Sequence, residues 1–293
     1  MERRTLDPKQ DVVFKLLFAN ERNQEVLIAF LTAMLKPARP IAGVTVLNPE
    51  TTKESVRTRG AVLDVRVRLE DRTQVDLEMQ TTSQSFFAER GLYYWARMYG
   101  SQLETGDKYP ALRPVVSIFI LNFDALKTGR YHSTFQLQEI HGHQTLTDDL
   151  AMHFLELPNI PPRHSSRGVD EADVYWGRFF SAKTDQQLED LVMSNPQLKP
   201  AKAALDRLSD DPEARQLAED RAFAIWNYEE GMRRSALEGK AEGKAEGLRA
   251  AVMRFCQALG VELTDARVQQ LGQPGVDLQA ILDEVVLRRR WPS

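Results

Sequence analysis

The chain of 293 residues contains one cysteine, Cys256, so no intrachain disulfide can form. That fits a reducing compartment. Cys256 lies in the apolar helical pattern AVMRFCQALG and is expected as a buried structural thiol rather than a nucleophile. Histidine is also sparse. His132, His141, His143, His153 and His164 are scattered, and only His141 and His143 come close to half a metal site. No cysteine or carboxylate cluster completes it, so all five are expected at the surface. No apolar run is long enough to span a bilayer, and the longest, in PVVSIFILNF, reads as a buried strand. The opening MERRTLDPKQD has no apolar segment, so no secretory signal is expected, and the reading is a cytoplasmic protein with no membrane partner. Positive charge is not in excess: 38 Lys and Arg against 42 Asp and Glu leave a net charge of −4. That balance does not advertise nucleic-acid binding, and cations for such a role must be concentrated locally.

What is present is an ordinary folded composition, 42% hydrophobic and 27% charged. The most informative stretch is AVLDVRVRLEDRTQVDLEMQ, residues 61–80. Two runs alternate with period 2, as half-buried strands do. Leu63, Val65, Val67 and Leu69 form one apolar face, and Val75, Leu77 and Met79 form its counterpart. The polar faces carry Asp64, Arg66 and Arg68, then Gln74, Asp76, Glu78 and Gln80. A short charged connection predicts an antiparallel hairpin. Both apolar faces must meet one core, so odd residues pair with odd residues, since a one-residue slip flips a face. A three-residue turn at Glu70, Asp71 and Arg72 then pairs Leu69 with Thr73 and sets Asp64 opposite Glu78.

Like charges directly opposed across a sheet are destabilising. A bound divalent cation would explain the pair, because oxygen ligands suit Mg²⁺ or Mn²⁺. The alternative is a solvated sheet face on which Arg66 and Arg68 neutralise the acids.

Around this hairpin, apolar spacing predicts helices near 8–19 and 21–36 and a first strand at 41–47. Asp11 and Lys15 are placed to pair on one helical face, and Glu25 is read as a solvated acid. Asn48 to Gly60 is polar and reads as a loop or hairpin edge. Ser83 is the expected N-cap of a helix near 84–104, rich in aromatic residues. Arg90 and Arg97, seven apart on it, are candidate phosphate contacts or simply solvated arginines. Strands follow at 114–123 and 131–140, with a last edge strand at 152–157. The loop NIPPRHSSRG, 159–168, marks a boundary. Beyond it the chain reads helical, including EGKAEGKAEG, whose like-charged i,i+4 pairs and glycines predict a solvated, marginal helix or connector. The resulting domains are 1–160, a helical extension over 169–250, and a small helical segment over 251–293.

An Asp on one strand followed on the next by Glu-x-Lys is the pattern of the PD-(D/E)XK nuclease superfamily. Here Asp64, Glu78, Met79 and Gln80 supply it, with Gln in place of Lys. That substitution, the segment DPKQDVVFKLLF and the helix RGLYYWARMYGSQL resemble the Rpn-type recombination-promoting nuclease and transposase branch, over roughly Leu6 to Leu157. The Glu-Gly-rich tail is shared with such proteins. The resemblance implies an α/β restriction-endonuclease-like core, with a mixed central sheet flanked by helices and a helical C-terminal extension. It implies a metal-dependent DNA endonuclease using Mg²⁺ or Mn²⁺, with DNA as partner, and it permits a homodimer. Asp64 and Glu78, with the Met79 carbonyl, would hold the ion, Gln80 would orient the attacking water or a phosphate oxygen, and Asp11, Lys15 or Glu25, on a segment that packs beside the site in the resembled family, could assist. Gln is neither cation nor base, so the alternative is a catalytically weak nuclease-fold module that binds DNA or another protein.

Overall fold

The hairpin turn fixes the register of the sheet. In the computed structural model, which describes residues 5–48, 64–82, 86–162 and 171–292, the Leu69 N–H donates to the Thr73 carbonyl at 2.9 Å. The Arg72 N–H closes the turn on the Leu69 carbonyl at 3.0 Å, with Arg72 in the left-handed region at φ 72°. Strands β2 (Val65–Leu69) and β3 (Gln74–Gln80) therefore pair antiparallel as expected, with Val65 opposite Leu77 and Arg66 opposite Asp76.

Four more strands complete a mixed sheet: β1 (Val44–Val46), β4 (Val115–Leu121), β5 (His132–Gln136) and β6 (Leu150–Glu156). Their order is β1-β2-β3-β4-β6-β5. Strands β3, β4 and β6 run parallel, and the outer pairings are antiparallel. All seven residues of β4 are buried, which explains its unbroken apolar sequence. The strand over 152–157 is expected at an edge. It instead lies between β4 and β5, and β5 is the edge.

Alternation along the strands separates two cores. On one face, Val75, Leu77, Met79, Ile118 and Ile120 meet helices α1 (Asp11–Phe18) and α2 (Gln24–Leu35). Phe14, Phe18 and Phe30 anchor these helices, and Trp176, Phe179 and Phe180 join the same cluster. The last three belong to α4 (Ala172–Ser181), which is followed by α5 (Asp185–Ser194) and α6 (Lys199–Asp210). On the other face, Phe119, Leu121 and Phe154 pack under α3 (Phe87–Gly100). The close approach is permitted at Gly91, where a Cβ would lie 2.9 Å from the Phe119 ring. Ser83, the expected N-cap of α3, lies outside the described residues.

Two histidines are not at the surface. His132 Nδ1 lies 2.7 Å from Asp173 Oδ2, and His132 Nε2 lies 3.0 Å from His153 Nδ1. Thr134 Oγ1 approaches His153 Nδ1 at 3.3 Å. The pair joins β5, β6 and α4, elements far apart in sequence. Burial, and then the neighbouring His132, lower the His153 pKa to about 4. The unfolded chain therefore binds a proton near pH 6.5 that the native state refuses. The contribution to stability is full above pH 6.5 and is lost as pH falls toward 4, by about 2 kcal/mol at pH 5. The stability difference between wild type and His153→Asn, from melts at pH 7 and pH 5, is expected to narrow by that amount. An identical acid slope in both proteins would contradict this.

The chain divides into two compact units, Met1–Ala224 and Ile225–Ser293. Helix α7 (Pro212–Leu259) contributes residues to both. Its Glu-Gly segment is helical and exposed, and nothing lies within 4 Å of a Cβ at Gly239, Gly243 or Gly247. In the second unit, Val252 and Cys256 pack with Leu271, of α8 (Asp265–Leu271), and with Leu278, Ile281 and Val285, of α9 (Leu278–Arg288). Cys256 is a buried free thiol, as expected.

Candidate active site

Strand alternation turns Asp76, Glu78 and Gln80 to the face covered by α3. Asp64 stands at the entry of β2, and one further step of the register puts it across from Glu78. Asp64, Asp76 and Gln80 are all buried. The sheet thus brings the three sequence-predicted residues Asp64, Glu78 and Gln80 onto one patch and adds a third carboxylate, Asp76.

Each carboxylate is held differently. Asp64 Oδ1 accepts from Asn48 Nδ2 at 3.2 Å, and Asn48 Oδ1 accepts the Arg66 N–H at 2.8 Å. Arg66 Nε lies 2.7 Å from Asp64 Oδ2 and 3.6 Å from Asp76 Oδ1. Among the described residues, Arg66 Nε, Asp64 Oδ2 and Asp76 Oδ1 meet as close charges without a well-directed hydrogen bond. Glu78 Oε1 accepts from Gln80 Nε2 at 2.7 Å and from Arg90 Nη2 at 2.9 Å. Gln80 Oε1 and the hydroxyl of Ser117, opposite Asp76 on β4, also lack partners among the described residues. Arg68 is exposed, so the neutralising role considered for both arginines falls to Arg66.

Burial dominates the electrostatics. It raises the Asp76 pKa, and the Asp64 charge adds to this, bringing it to about 7. Burial also raises Glu78, against the opposing pull of Arg90 and the Gln80 amide. Lys15 is lowered by burial, with Asp64 favouring its charge and Arg66 opposing it. Lys15 does not stand in a surface pair with Asp11. It is buried, and Asp11 instead binds Arg221 Nε at 2.9 Å.

The remaining expected residues separate. Met79 buries its side chain in the opposite core. By the alternation of the ladder its backbone carbonyl turns toward β2. Arg90 reaches the site through Glu78. Arg97 does not touch the carboxylates; it is exposed, with its guanidinium 5.9 Å from the Tyr93 ring centre.

A mixed sheet with paired acids on adjacent strands suits the superfamily, and a comparison with family models decides the matter. The model of the PD-(D/E)XK nuclease family transposases matches residues 8–235. The chain belongs to that family. No curated protein and no solved structure matches it. The match includes the hairpin, both flanking helical segments and part of α7.

PD-(D/E)XK nucleases generally use divalent metal ions. Among the described residues of this PD-(D/E)XK transposase family member, no three His, Cys, Asp or Glu side chains are arranged as an ion-holding group. The donor set nonetheless suits a hard cation. It is all oxygen, and among the described residues Asp76 Oδ1 and Gln80 Oε1 are buried acceptors without hydrogen bonds, while Asp64 Oδ2 has only the ion pair with Arg66. Buried polar atoms of this kind are costly unless something else satisfies them.

Two contributors escaped the sequence pattern. Asp76 was visible as a polar strand residue, but only the cover of α3 shows that it is buried. Asn48 is sixteen residues from Asp64 along the chain. Lys15, by contrast, is one of the residues the resemblance offers as an assistant, and its charge interacts with that of Asp64.

Proposed function

We propose that this protein is a divalent-metal-dependent DNA endonuclease, acting by phosphodiester hydrolysis, whose cuts promote recombination. One observation carries the reading: the carboxylates of Asp64, Asp76 and Glu78 crowd one largely buried sheet face at the family motif, and Arg66 and Arg90 are the cations paired with them in the structure. Asp64 and Glu78, with the Met79 carbonyl, would hold Mg²⁺ or Mn²⁺. Such an ion supplies charge neutralisation at the phosphate and an acidified water.

The chain's own residues account for the rest. Asn48 fixes the rotamer of Asp64. Gln80, donating to Glu78, orients that carboxylate and offers its free oxygen to a water. Gln80 is neutral at any working pH, so Lys15 and Arg66, the cations that act on Asp64, take over part of the motif lysine's charge. Arg90 steadies Glu78 from α3.

The test is nicking of supercoiled plasmid with Mg²⁺, Mn²⁺, Ca²⁺ and chelator. Gln80→Ala is expected to lower the rate by about tenfold, because an amide offers only hydrogen bonds. A loss as large as that of either carboxylate would show that Gln80 does more than orient.

A second reading has its own support. Arg66 and Arg90 already neutralise the two motif acids. A weakly catalytic nuclease-fold module that binds DNA or a protein would show the same pairs, with no metal response and no nicking.

A further inference from the structure

Helix α3 does more than cover the sheet. Its inner face, Phe87, Gly91 and Met98, is buried. One flank carries a different series, Phe86, Arg90, Tyr93 and Arg97, at positions i, i+4, i+7 and i+11. That spacing makes one continuous stripe. Phe86 is 77% exposed and Tyr93 58% exposed, more than scattered surface apolar atoms require. Phe86 is seated on the first turn, where its carbonyl accepts the Arg90 N–H at 3.0 Å. Its φ of 58° is one that a bulky residue seldom adopts.

The stripe begins at the carboxylates. Arg90 Nη2 touches Glu78 Oε1, and Phe86 and Tyr93 lie one turn to either side of Arg90. Arg97 follows, with its guanidinium against the Tyr93 ring. Rings alternating with guanidinium groups match a strand whose bases are free to stack and whose phosphates need cations. A closed duplex keeps its bases stacked on each other and offers these rings nothing.

We propose that the stripe Phe86-Arg90-Tyr93-Arg97 is a stacking platform for DNA with unpaired bases, so that the substrate is single-stranded or locally opened DNA. The proposal rests on the nuclease reading of the adjoining carboxylates. It selects among DNA forms and does not depend on overall charge, which suits a chain with no basic excess.

The test measures fluorescence anisotropy of a labelled 20-nucleotide oligothymidine and of a 20-base-pair duplex in Ca²⁺. Wild type, Phe86→Ala, Tyr93→Leu and the double variant are compared. Both side chains are exposed, so far-UV circular dichroism and Tm should be unchanged. Wild type is expected to bind the single strand at least about tenfold more tightly than the duplex. Each substitution should weaken single-strand binding by about tenfold and leave duplex binding alone. Equal affinity of wild type for both forms, or an unchanged single-strand affinity in the double variant, overturns the proposal. Plasmid nicking separates the two ideas. Nicking that survives with no strand preference leaves the nuclease and removes the platform. Strand preference without nicking in any metal does the reverse.

Discussion

Asp64→Asn and Glu78→Gln should each abolish nicking of supercoiled plasmid in Mg²⁺ or Mn²⁺. The loss should exceed the roughly 10–100-fold that removal of a group merely supporting a metal ligand costs. Both substitutions keep the size of the side chain and remove its charge, so the fold should persist. The hydrogen-bond partners help to distinguish loss of chemistry from loss of structure. Asn at position 64 can still accept from Asn48, and Gln at position 78 can still accept from Gln80 and Arg90. The mutant proteins should therefore melt cooperatively and remain inactive. Retained nicking in either one would remove that carboxylate from the reaction.

The second large effect concerns Asp76. Its pKa is raised from 3.8 to about 7, mainly by burial and then by the charge of Asp64. The native protein thus keeps a proton that the unfolded chain has released. Stability from this group is present below about pH 4 and is lost as pH rises toward 7, by roughly 2–4 kcal/mol in the metal-free protein. Asp76→Asn cannot ionise. It should be more stable than wild type at pH 7.5 without metal, and the advantage should vanish by pH 4. Denaturant unfolding of the two proteins at both pH values measures it. A metal-free variant that is less stable at both would mean that the ionised Asp76 is compensated, with Arg66 as the natural partner at 3.6 Å.

The hairpin was legible in residue order because two constraints converge on it. Period-2 alternation sets the parity, and the short turn sets the count, so the register follows without any distant contact. Hence Arg66 lies opposite Asp76, as the expected pairing requires. The helices α1, α2 and α3 were legible for the same local reason, to within a few residues. Information held between distant segments was not legible. Strand β6 reads as an edge because it comes last among the strands in residue order, yet its place in the sheet is set by parallel pairing with β4. His132 and His153 are 21 residues apart and meet only because β5 and β6 pair. Lys15 looks like half of a surface ion pair until Arg221, 210 residues beyond Asp11, claims Asp11 instead. The acidic overall charge concealed the candidate DNA-facing side, since the cations that matter are a few residues on one helix flank.

The central claim is that Asp64 and Glu78 form a cation site, and the thermal melt tests it most directly. Wild type and Asp64→Asn are melted with chelator and with millimolar Mn²⁺. An ion that binds only the folded state stabilises it by about RT ln(1+[L]/Kd), close to 2.7 kcal/mol at a hundredfold excess over Kd. Wild type should show a clear rise in Tm with Mn²⁺, and Asp64→Asn should show none. No shift in wild type at millimolar Mn²⁺, together with no nicking, would contradict the nuclease assignment and leave the arginine-neutralised module in its place.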